Sequence, residues 1–288
     1  MATQDLQGSE RTVNGNGNHH LSAKEDPDDA LRKIRTAGSI SISPELFEKI
    51  YLSPQNQVKG DLRKTFANPT PLALVGFLLS LTPLSCILMG WRGAGGSGAS
   101  DVAAYWFFGG ILMLLGAIGE FILGNTFPFI VFGSFGGFWL TFAGTLTPSM
   151  NAYGAYSTTG NVAEGLQEPE FYASFAFFWL WMSILSFIFL ICSLRTNMVF
   201  FVIFITLTTA FALLSGAYWQ TANGNTSLAS TLTIAAGAFT FVTCLAGWWI
   251  FTAQMLFAVD FPINLPIFDI SHIIKGASEK KKVSEDTA

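Results

Sequence analysis

Glu120 is the only acidic residue inside the long apolar segments of this sequence. Burying its charge in lipid is costly, so an acid at such a position normally faces the interior of a helix bundle or a water path. It could carry a proton, or it could anchor the polar turn at Asn125, five residues further along. The alternative is an interfacial glutamate whose side chain reaches water.

Two clusters of asparagine and proline mark helix starts. Asn68-Pro69-Thr70-Pro71 and Asn125-Thr126-Phe127-Pro128 each stand at the beginning of an apolar run. Proline lacks an N–H and is tolerated in the first helical turn, and asparagine is a good cap before it. The free N–H groups and the positive dipole end of a helix start suit a carboxylate. The clusters therefore predict either part of an anion path or, more simply, two well-capped helices.

The elements that must position these residues are membrane-spanning helices. The sequence of 288 residues is 51% hydrophobic and 12% charged. From Thr196 to Val259 it contains no Asp, Glu, Lys or Arg, which is far longer than the ~20 residues that one span needs. The pattern predicts an all-α integral membrane protein with six transmembrane helices, near residues 70–90, 102–124, 127–147, 171–194, 198–219 and 228–257.

The basic residues predict how these helices are oriented. Nine of the fifteen Lys and Arg residues lie before residue 65 and four lie after residue 274. The positive-inside rule then places both termini in the cytoplasm. Residues 1–64 are expected to form a largely disordered cytoplasmic tail with an interfacial helix at 44–52. The six-helix domain covers 65–259, and residues 260–288 form a second cytoplasmic tail.

Three bulky apolar residues are expected at the same depth in the membrane. Phe77, Phe135 and Leu207 each follow the start of their span by eight or nine residues. At about 1.5 Å per residue, each lies roughly 12–14 Å from the inner face. If the three helices face a common axis, these side chains form a hydrophobic constriction that blocks hydrated ions. If they do not, the same residues are ordinary core packing.

Several stretches, in order along the chain, carry a family resemblance. They are NPTPLALVGF, GEFILGNTFPF and FGSFGGFWL, with the fungal-type extension VKGDLRKTFANPTP, the LMGWRGAGG loop and the closing DFPINLP. Together they resemble the acetate uptake transporters, over residues 58 to about 275. The resemblance implies a six-helix protomer with its own pore, a homo-hexamer in the plasma membrane, and transport of acetate and other small monocarboxylates with protons.

The same resemblance implies roles for particular residues. The family's apolar filter matches Phe77, Phe135 and Leu207, its motif asparagine matches Asn68, and its acidic position matches Glu120. Bacterial members have Tyr where Phe135 stands, so a hydroxyl is missing from the filter here. Hydroxyl donors along the path are expected among the threonines Thr70, Thr126, Thr141, Thr206 and Thr208.

Two other functions remain open. One is a passive gated channel for acetate, acetic acid or ammonia, and the other is a nutrient-sensing membrane protein. An aquaporin is disfavoured because both Asn/Pro starts lie on one side and continue into full-length spans. The aromatic fourth span, with FAFFWLWM, is expected to face lipid or a neighbouring subunit.

The sequence predicts no enzyme. It has no phosphate-binding loop and no metal-spaced cluster of His and Cys, and its three histidines lie in the predicted tails. No cofactor, no metal and no nucleic-acid partner is therefore expected. The expected partners are small carboxylates, protons, membrane lipid and further copies of the chain.

Overall fold

The computed structural model describes residues 19–21, 40–42, 66–271 and 273–274. The chain divides into two compact units, Met1–Glu48 and Lys49–Ala288. Within its described residues, the second unit holds six helices long and apolar enough to cross a membrane, which confirms the predicted six-helix class. The spans are Thr70–Leu88, Gly96–Ile122, Thr126–Leu146, Pro169–Ser193, Met198–Ala222 and Thr226–Ala258.

The first span begins at the first Asn/Pro cluster. Asn68 Oδ1 accepts a hydrogen bond from the Thr70 N–H at 3.0 Å. Pro69 precedes the helix and Pro71 lies in its first turn. The asparagine thus satisfies one of the N–H groups that a helix start leaves free. Local sequence is sufficient to set where this helix begins.

Neighbouring spans run antiparallel. Between the fourth and fifth spans, Ser183 donates to the Thr208 carbonyl and Ser215 donates to the Ala176 carbonyl, both at 2.9 Å. Residue numbers therefore fall along one helix as they rise along the other. The fifth span also packs on the sixth, and the first span packs between the second and the sixth. This order brings the starts of the first, third and fifth spans to the same end of the bundle.

The second span is longer and less regular than the predicted 102–124. It opens with a 3₁₀ stretch at Gly96–Asp101 and a short α-helical piece at Val102–Ala104. Tyr105–Leu112 is then wound as π-helix, and Met113–Ile122 returns to α-helix. The π-helical stretch contains Gly109 and Gly110, which lie against large side chains of the third span. Such π segments are rare and often occur next to functional sites.

Glycines set the close approach of the first and second spans. A Cβ on Gly116 would lie 2.6 Å from the Ala73 Cβ, closer than packed carbon atoms allow. Gly137, in the third span, has no atom within 4 Å of the same position. A methyl group at Gly116 would therefore force the two helices to shift, whereas Gly137 has room for one among the described residues. Both glycines nevertheless lie inside apolar helices.

This contrast gives a stability prediction. Gly116→Ala should destabilise the purified protein by about 1–3 kcal/mol, because the added methyl group overpacks the helix contact. Gly137→Ala should leave stability unchanged or raise it by up to about 1 kcal/mol, since alanine is the better helix former. Thermal unfolding of both variants in detergent measures the difference. Equal stability of the two would show that the first two spans can separate without penalty.

A loop with short helices joins the third and fourth spans. It contains 3₁₀ turns at Pro148–Met150 and Gly154–Tyr156 and a helical turn at Val162–Gly165. The exposed Glu164 accepts hydrogen bonds from Ser157 at 2.6 Å and from Thr159 at 2.5 Å. These bonds lower the pKa of Glu164, so they support the loop at neutral pH and weaken as the pH falls through that lowered value.

The chain after the sixth span folds back onto the start of the fifth. The Met198 N–H donates to the Phe268 carbonyl at 2.8 Å, and the Ile270 N–H donates to the Thr196 carbonyl at 3.1 Å. We call residues 266–270 the C-terminal strap. The strap therefore connects the end of the sixth span to the start of the fifth span.

In the first unit the structure describes two short strands, His19–Leu21 and Ile40–Ile42, paired in parallel with His19 opposite Ile40. They lie within the tail that the sequence predicts to be largely disordered. The interfacial helix predicted at residues 44–52 lies outside the described residues. So does most of the predicted C-terminal tail.

Candidate functional site: a closed path through the bundle

Three cavities follow one another along the first, third and fifth spans. The proximal pocket, of about 10 Å³, lies at the starts of these spans and is lined by Thr70, Phe127, Pro128, Val131, Phe132, Phe200 and Phe204. The central cavity, of about 20 Å³, is lined by Phe77, Leu81, Leu84, Leu88, Phe135, Phe138, Trp139, Trp179, Leu207, Phe211, Leu214 and Thr240. The distal cavity, of about 110 Å³, is lined by Leu84, Leu88, Ser97, Phe142, Tyr172, Trp179, Leu214, Ala217, Tyr218, Thr221 and Thr233.

The sizes of these cavities show where the path is narrow. A cavity of about 10–15 Å³ on this scale has room for roughly one water molecule. The proximal pocket and the central cavity are therefore too small for a hydrated ion, whereas the distal cavity has room for several waters. On the Thr70 side and at mid-bundle, the described residues thus leave room for only about one water molecule.

Phe77, Phe135 and Leu207 meet on the wall of the central cavity. The rings of Phe77 and Phe135 lie edge to face with centroids 6.2 Å apart. The three side chains are 6%, 3% and 2% exposed. The three residues, which residue counting along separate helices placed at the same depth, therefore lie next to one another in the bundle. None of the three carries a polar atom, so a solute that passes them must leave its water behind.

Further aromatic rings continue the wall beyond these three residues. Phe211 stacks on Phe135 with centroids 6.3 Å apart and meets Phe138 at 5.4 Å. Trp179 stacks on Phe211 at 5.9 Å. The constriction is therefore backed by a packed aromatic cluster that resists sideways movement of its rings.

Glu120 is fully buried, which excludes the interfacial alternative in this structure. Its carboxyl group accepts hydrogen bonds from the Thr70 hydroxyl, at very short range, and from Asn125 Nδ2 at 2.6 Å. Thr70 is 2% exposed and Asn125 is 4% exposed. One buried carboxyl group thus connects the start of the first span, the end of the second and the start of the third.

The two asparagines of the Asn/Pro clusters differ in what they do. Asn68 caps its helix, as predicted, whereas the side chain of Asn125 makes no capping bond although it precedes the third span. Asn125 instead directs its amide N–H to Glu120, and its backbone N–H donates to the Glu120 carbonyl at 2.9 Å. The role of Glu120 as a polar anchor for the turn or as a proton carrier stays a prediction, and these two contacts are the ones that an anchor would use.

The predicted threonines fall into four environments. Thr70 lines the proximal pocket with its hydroxyl committed to Glu120. Thr206 is bonded to Thr243 of the sixth span at 2.7 Å. Thr208 and the exposed Thr141 donate back to carbonyls of their own helices, and Thr126 is exposed. Of the five, only Thr70 lines any of the three cavities.

Trp179 and Thr240 are among the cavity residues that sequence reasoning missed. Trp179 belongs to the fourth span, which was expected to face lipid or a neighbour, yet it is 2% exposed and lines both the central and the distal cavity. That expectation fits Phe177 and Trp181, which are exposed, and is wrong for Trp179. Among the described residues that line the central cavity, Thr240 is the only one with a hydroxyl group. No signal in the sequence separates it from the other threonines of the sixth span.

No cluster of His, Cys, Asp and Glu that could hold a metal ion occurs among the described residues. What the described part of the chain offers is a narrow, mostly apolar path through six antiparallel helices, with one buried acid beside its proximal mouth. This fold and site define a membrane transport protein of the transporter or channel class.

The chain belongs to the GPR1/FUN34/yaaH family, whose sequence model matches residues 52–272. It is 47% identical over 262 residues to "Protein alcS" of Aspergillus fumigatus, covering 90% of this chain and 96% of that protein. It is 33% identical over 225 residues to "Acetate permease A" of Emericella nidulans, covering 78% of this chain and 73% of that protein. The resemblance to acetate uptake transporters seen in the sequence is confirmed.

A solved structure shares the fold. The bacterial acetate channel SatP matches with a TM-score of 0.52 at 23% sequence identity, covering 70% of this chain and 99% of that one. The six-span arrangement described above is therefore a known one.

Proposed function

We propose that this protein carries acetate and related small monocarboxylates across the plasma membrane. The observation that supports this most directly is the line of three cavities interrupted by Phe77, Phe135 and Leu207. A narrow apolar passage favours small solutes that can shed their water and excludes hydrated inorganic ions. The names of a relative and of the fold neighbour, an acetate permease and an acetate channel, agree with this substrate class.

In this proposal both termini lie in the cytoplasm, so the proximal pocket lies at the cytoplasmic end of the bundle. The starts of the first and third spans then present their positive dipole ends at the inner mouth, where a carboxylate is favoured. Asn68, Pro69, Pro71 and Thr126 shape these starts, and Thr70 and Asn125 connect them to Glu120. The solute passes the constriction with its methyl group against apolar rings.

Protons accompany the substrate in the proposed mechanism. Glu120 accepts hydrogen bonds at both carboxyl oxygens and is fully buried. Loss or gain of its proton would change how tightly it holds Thr70 and Asn125, and with them the first turns of two spans that line the path. The buried acid would in this way couple protonation to the width of the proximal mouth.

The protomer is proposed to assemble as a homo-hexamer, as the family resemblance implies. Large apolar side chains are exposed on the outer surface of several spans. Such a surface suits contact with lipid and with further copies of the chain. Each protomer has its own line of cavities, so assembly would add stability and not a shared pore.

Uptake of radiolabelled acetate into proteoliposomes tests the proposal. The protein should produce saturable uptake above an empty-liposome control, and an inward proton gradient at clamped membrane potential should drive accumulation above equilibrium. Saturable uptake that only equilibrates would establish a channel or facilitator without proton coupling. Transport of methylammonium in place of acetate would favour ammonia, and no transport of either would favour a sensor.

A further inference from the structure

Gln254 is a buried glutamine of the sixth span whose side chain has no hydrogen bond. It is 3% exposed, and neither its amide nitrogen nor its amide oxygen has a partner among the described residues. Leaving both ends of a buried amide unpaired costs free energy, and lipid offers it no replacement partner. Such a group in a native protein calls for an explanation, and a partner in a second conformation of the bundle is one.

The packing of the first span against the sixth shows what Gln254 faces. A Cβ on Gly237 would lie 2.9 Å from the Leu88 Cβ, and a Cβ on Gly247 would lie 2.7 Å from Leu78 Cδ2. Residue numbers thus rise along the sixth span as they fall along the first, so the two spans run antiparallel. The same position on Gly247 lies 3.8 Å from Phe77 Cε1. Gly247 and Phe77 therefore stand opposite each other at this contact.

Gln254 corresponds in this register to Thr70. Seven residues make nearly two helical turns, so a step of seven returns to the same face about 10 Å further along the axis. Gln254 is seven residues after Gly247, and Thr70 is seven residues before Phe77. Because the spans are antiparallel, both steps lead to the same level. Packed helices have axes about 8–10 Å apart, a gap that a glutamine side chain fills.

Thr70 has one hydroxyl hydrogen, and in this structure it donates it to Glu120. Asn125 Nδ2 donates to the other oxygen of the same carboxyl group at 2.6 Å. An ionised carboxyl group accepts both bonds, but a protonated one carries a donor at one of its oxygens. The amide N–H of Asn125 cannot accept that hydrogen, whereas the Thr70 oxygen can. Protonation therefore reverses the bond to Thr70 and leaves the hydrogen of Thr70 free for another acceptor.

Few other charges are near enough to drive this change. Among the described residues, the first, third, fifth and sixth spans contain no Asp, Glu, Lys, Arg or His. The charged residues described in the connections at this end of the bundle are Arg195, Asp260 and Asp269. The other titratable groups of the second span and of the spans around it lie further toward the distal cavity; they are Cys86, Asp101, Tyr105, Tyr218 and Cys244. Within the described spans, Glu120 is thus the group whose protonation acts on Thr70.

We propose that Gln254 is a positioning residue whose amide oxygen accepts the Thr70 hydrogen when Glu120 is protonated. This inference rests on the proposed function, because it specifies what the proton on Glu120 changes. One proton enters at Glu120, the Glu120 hydroxyl donates to Thr70, and Thr70 donates to Gln254. Thr70 lines the proximal pocket opposite Phe127 and Pro128 of the third span. Its new bond draws the start of the first span toward the sixth span and widens that pocket.

Thermal unfolding of the full-length protein in detergent tests this exchange without a transport assay. Gln254→Met keeps an unbranched side chain of similar length and removes the amide. In the parent it should raise the unfolding temperature by about 2–4 °C, because an unpaired buried group is lost. In Glu120→Gln, whose amide N–H imitates the protonated carboxyl group, it should lower that temperature by a similar amount, because Thr70 loses its acceptor. The reversal of sign between the two backgrounds measures the coupling.

Two further variants make the result specific. Gln220→Met is the matched control, since it makes the same substitution at a half-buried position near the distal end of the fifth span, and its effect should be the same in both backgrounds. Thr70→Val removes the hydroxyl, so in Glu120→Gln carrying this change Gln254→Met should again raise the unfolding temperature. If Glu120→Gln fails to fold, the parent and Gln254→Met are compared at neutral and at acidic pH, where the same reversal is expected.

A positioning role also has a kinetic signature. Gln254→Met should lower the maximal rate of acetate uptake into proteoliposomes about threefold to tenfold with KM unchanged, since the residue acts through Thr70 and not on the substrate. The pH of half-maximal uptake should fall by roughly half a unit to one unit, because the protonated form loses one hydrogen bond and needs more acid to form. Gln220→Met should keep the rate and the pH profile of the parent.

The outcomes separate this inference from the proposed function. Shifts of the same sign for Gln254→Met in both Glu120 backgrounds overturn the exchange, even if the parent transports acetate. A reversal of sign in a parent that moves no acetate supports the exchange and refutes transport. A reversal of sign with the maximal rate and pH profile of the parent overturns the part that Gln254 is given in transport.

Discussion

Phe77→Ala and Leu207→Ala are each expected to raise the flux of lactate relative to acetate by about tenfold or more. Both side chains narrow the central cavity, and a hydrophobic pocket discriminates by about 10–200-fold for each methylene group that it admits or rejects. Removing most of a side chain at the narrowest point should relax that discrimination. The ratio of lactate to acetate uptake in proteoliposomes is the quantity to measure.

Two controls make this result specific. Leu115→Ala makes the same truncation at an exposed position of the second span, where Leu115 is 50% exposed, and should leave the flux ratio unchanged. Thermal unfolding should accompany each assay, because truncation of a buried Leu or Phe costs about 2–5 kcal/mol. Folded Phe77→Ala and Leu207→Ala proteins with the flux ratio of the parent would remove both residues from the filter.

Glu120→Ala is expected to be the most destabilising single carboxylate substitution in the six spans. It leaves the Thr70 hydroxyl and the Asn125 amide without their shared acceptor in a site that excludes water. A hydrogen bond contributes about 0.5–3 kcal/mol, the upper part of that range applying where one partner is charged, and a buried donor left unpaired adds a penalty of its own. The free energy of unfolding, measured by thermal unfolding, should therefore fall by about 3 kcal/mol or more.

Glu120→Gln separates structure from proton transfer. Glutamine keeps the shape and one acceptor oxygen, so folding should be largely retained, but it cannot gain or lose a proton near neutral pH. If Glu120 carries a proton, the pH dependence of acetate uptake should flatten in this variant. Glu170→Gln, at an exposed position in the first turn of the fourth span, should keep the profile of the parent. Identical profiles for all three proteins would leave Glu120 with a structural role only.

The number of spans and the depth of their residues could be predicted because both depend on simple lengths. A helix that crosses the membrane needs a long apolar run, and its rise per residue is constant. Counting residues from the helix starts was therefore enough to place Phe77, Phe135 and Leu207 at one level, and the structure brings them together. The family resemblance pointed to the same three positions.

Which face of each helix turns inward could not be predicted. In a soluble protein the polar face marks the outside, but in a membrane both faces of a helix are apolar, so the sequence pattern carries little information on burial. This is why Trp179 and Trp181, two residues apart in the same aromatic run, could not be distinguished although one lines two cavities and the other is exposed.

Local motifs were reliable only where no distant partner competed. At the start of the first span, the side-chain oxygen of Asn68 accepts a hydrogen bond from the nearby Thr70 N–H. Asn125 also stands at the start of an apolar span, but its amide N–H donates to the buried carboxyl group of Glu120. The π-helical stretch of the second span likewise lies where Gly109 and Gly110 meet large side chains of the third span. Neither effect is visible in a short window of sequence.

The C-terminal strap has a mechanical consequence. The fifth and sixth spans are joined at one end by the turn at Asn225 and at the other by the hydrogen bonds between Met198 and Phe268 and between Thr196 and Ile270. Because the two spans are connected at both ends, we expect little lengthwise sliding of the fifth span against the sixth. We therefore expect that the fifth span, which carries Leu207, stays in place when the path opens, and that the first and third spans, which carry Phe77 and Phe135, move.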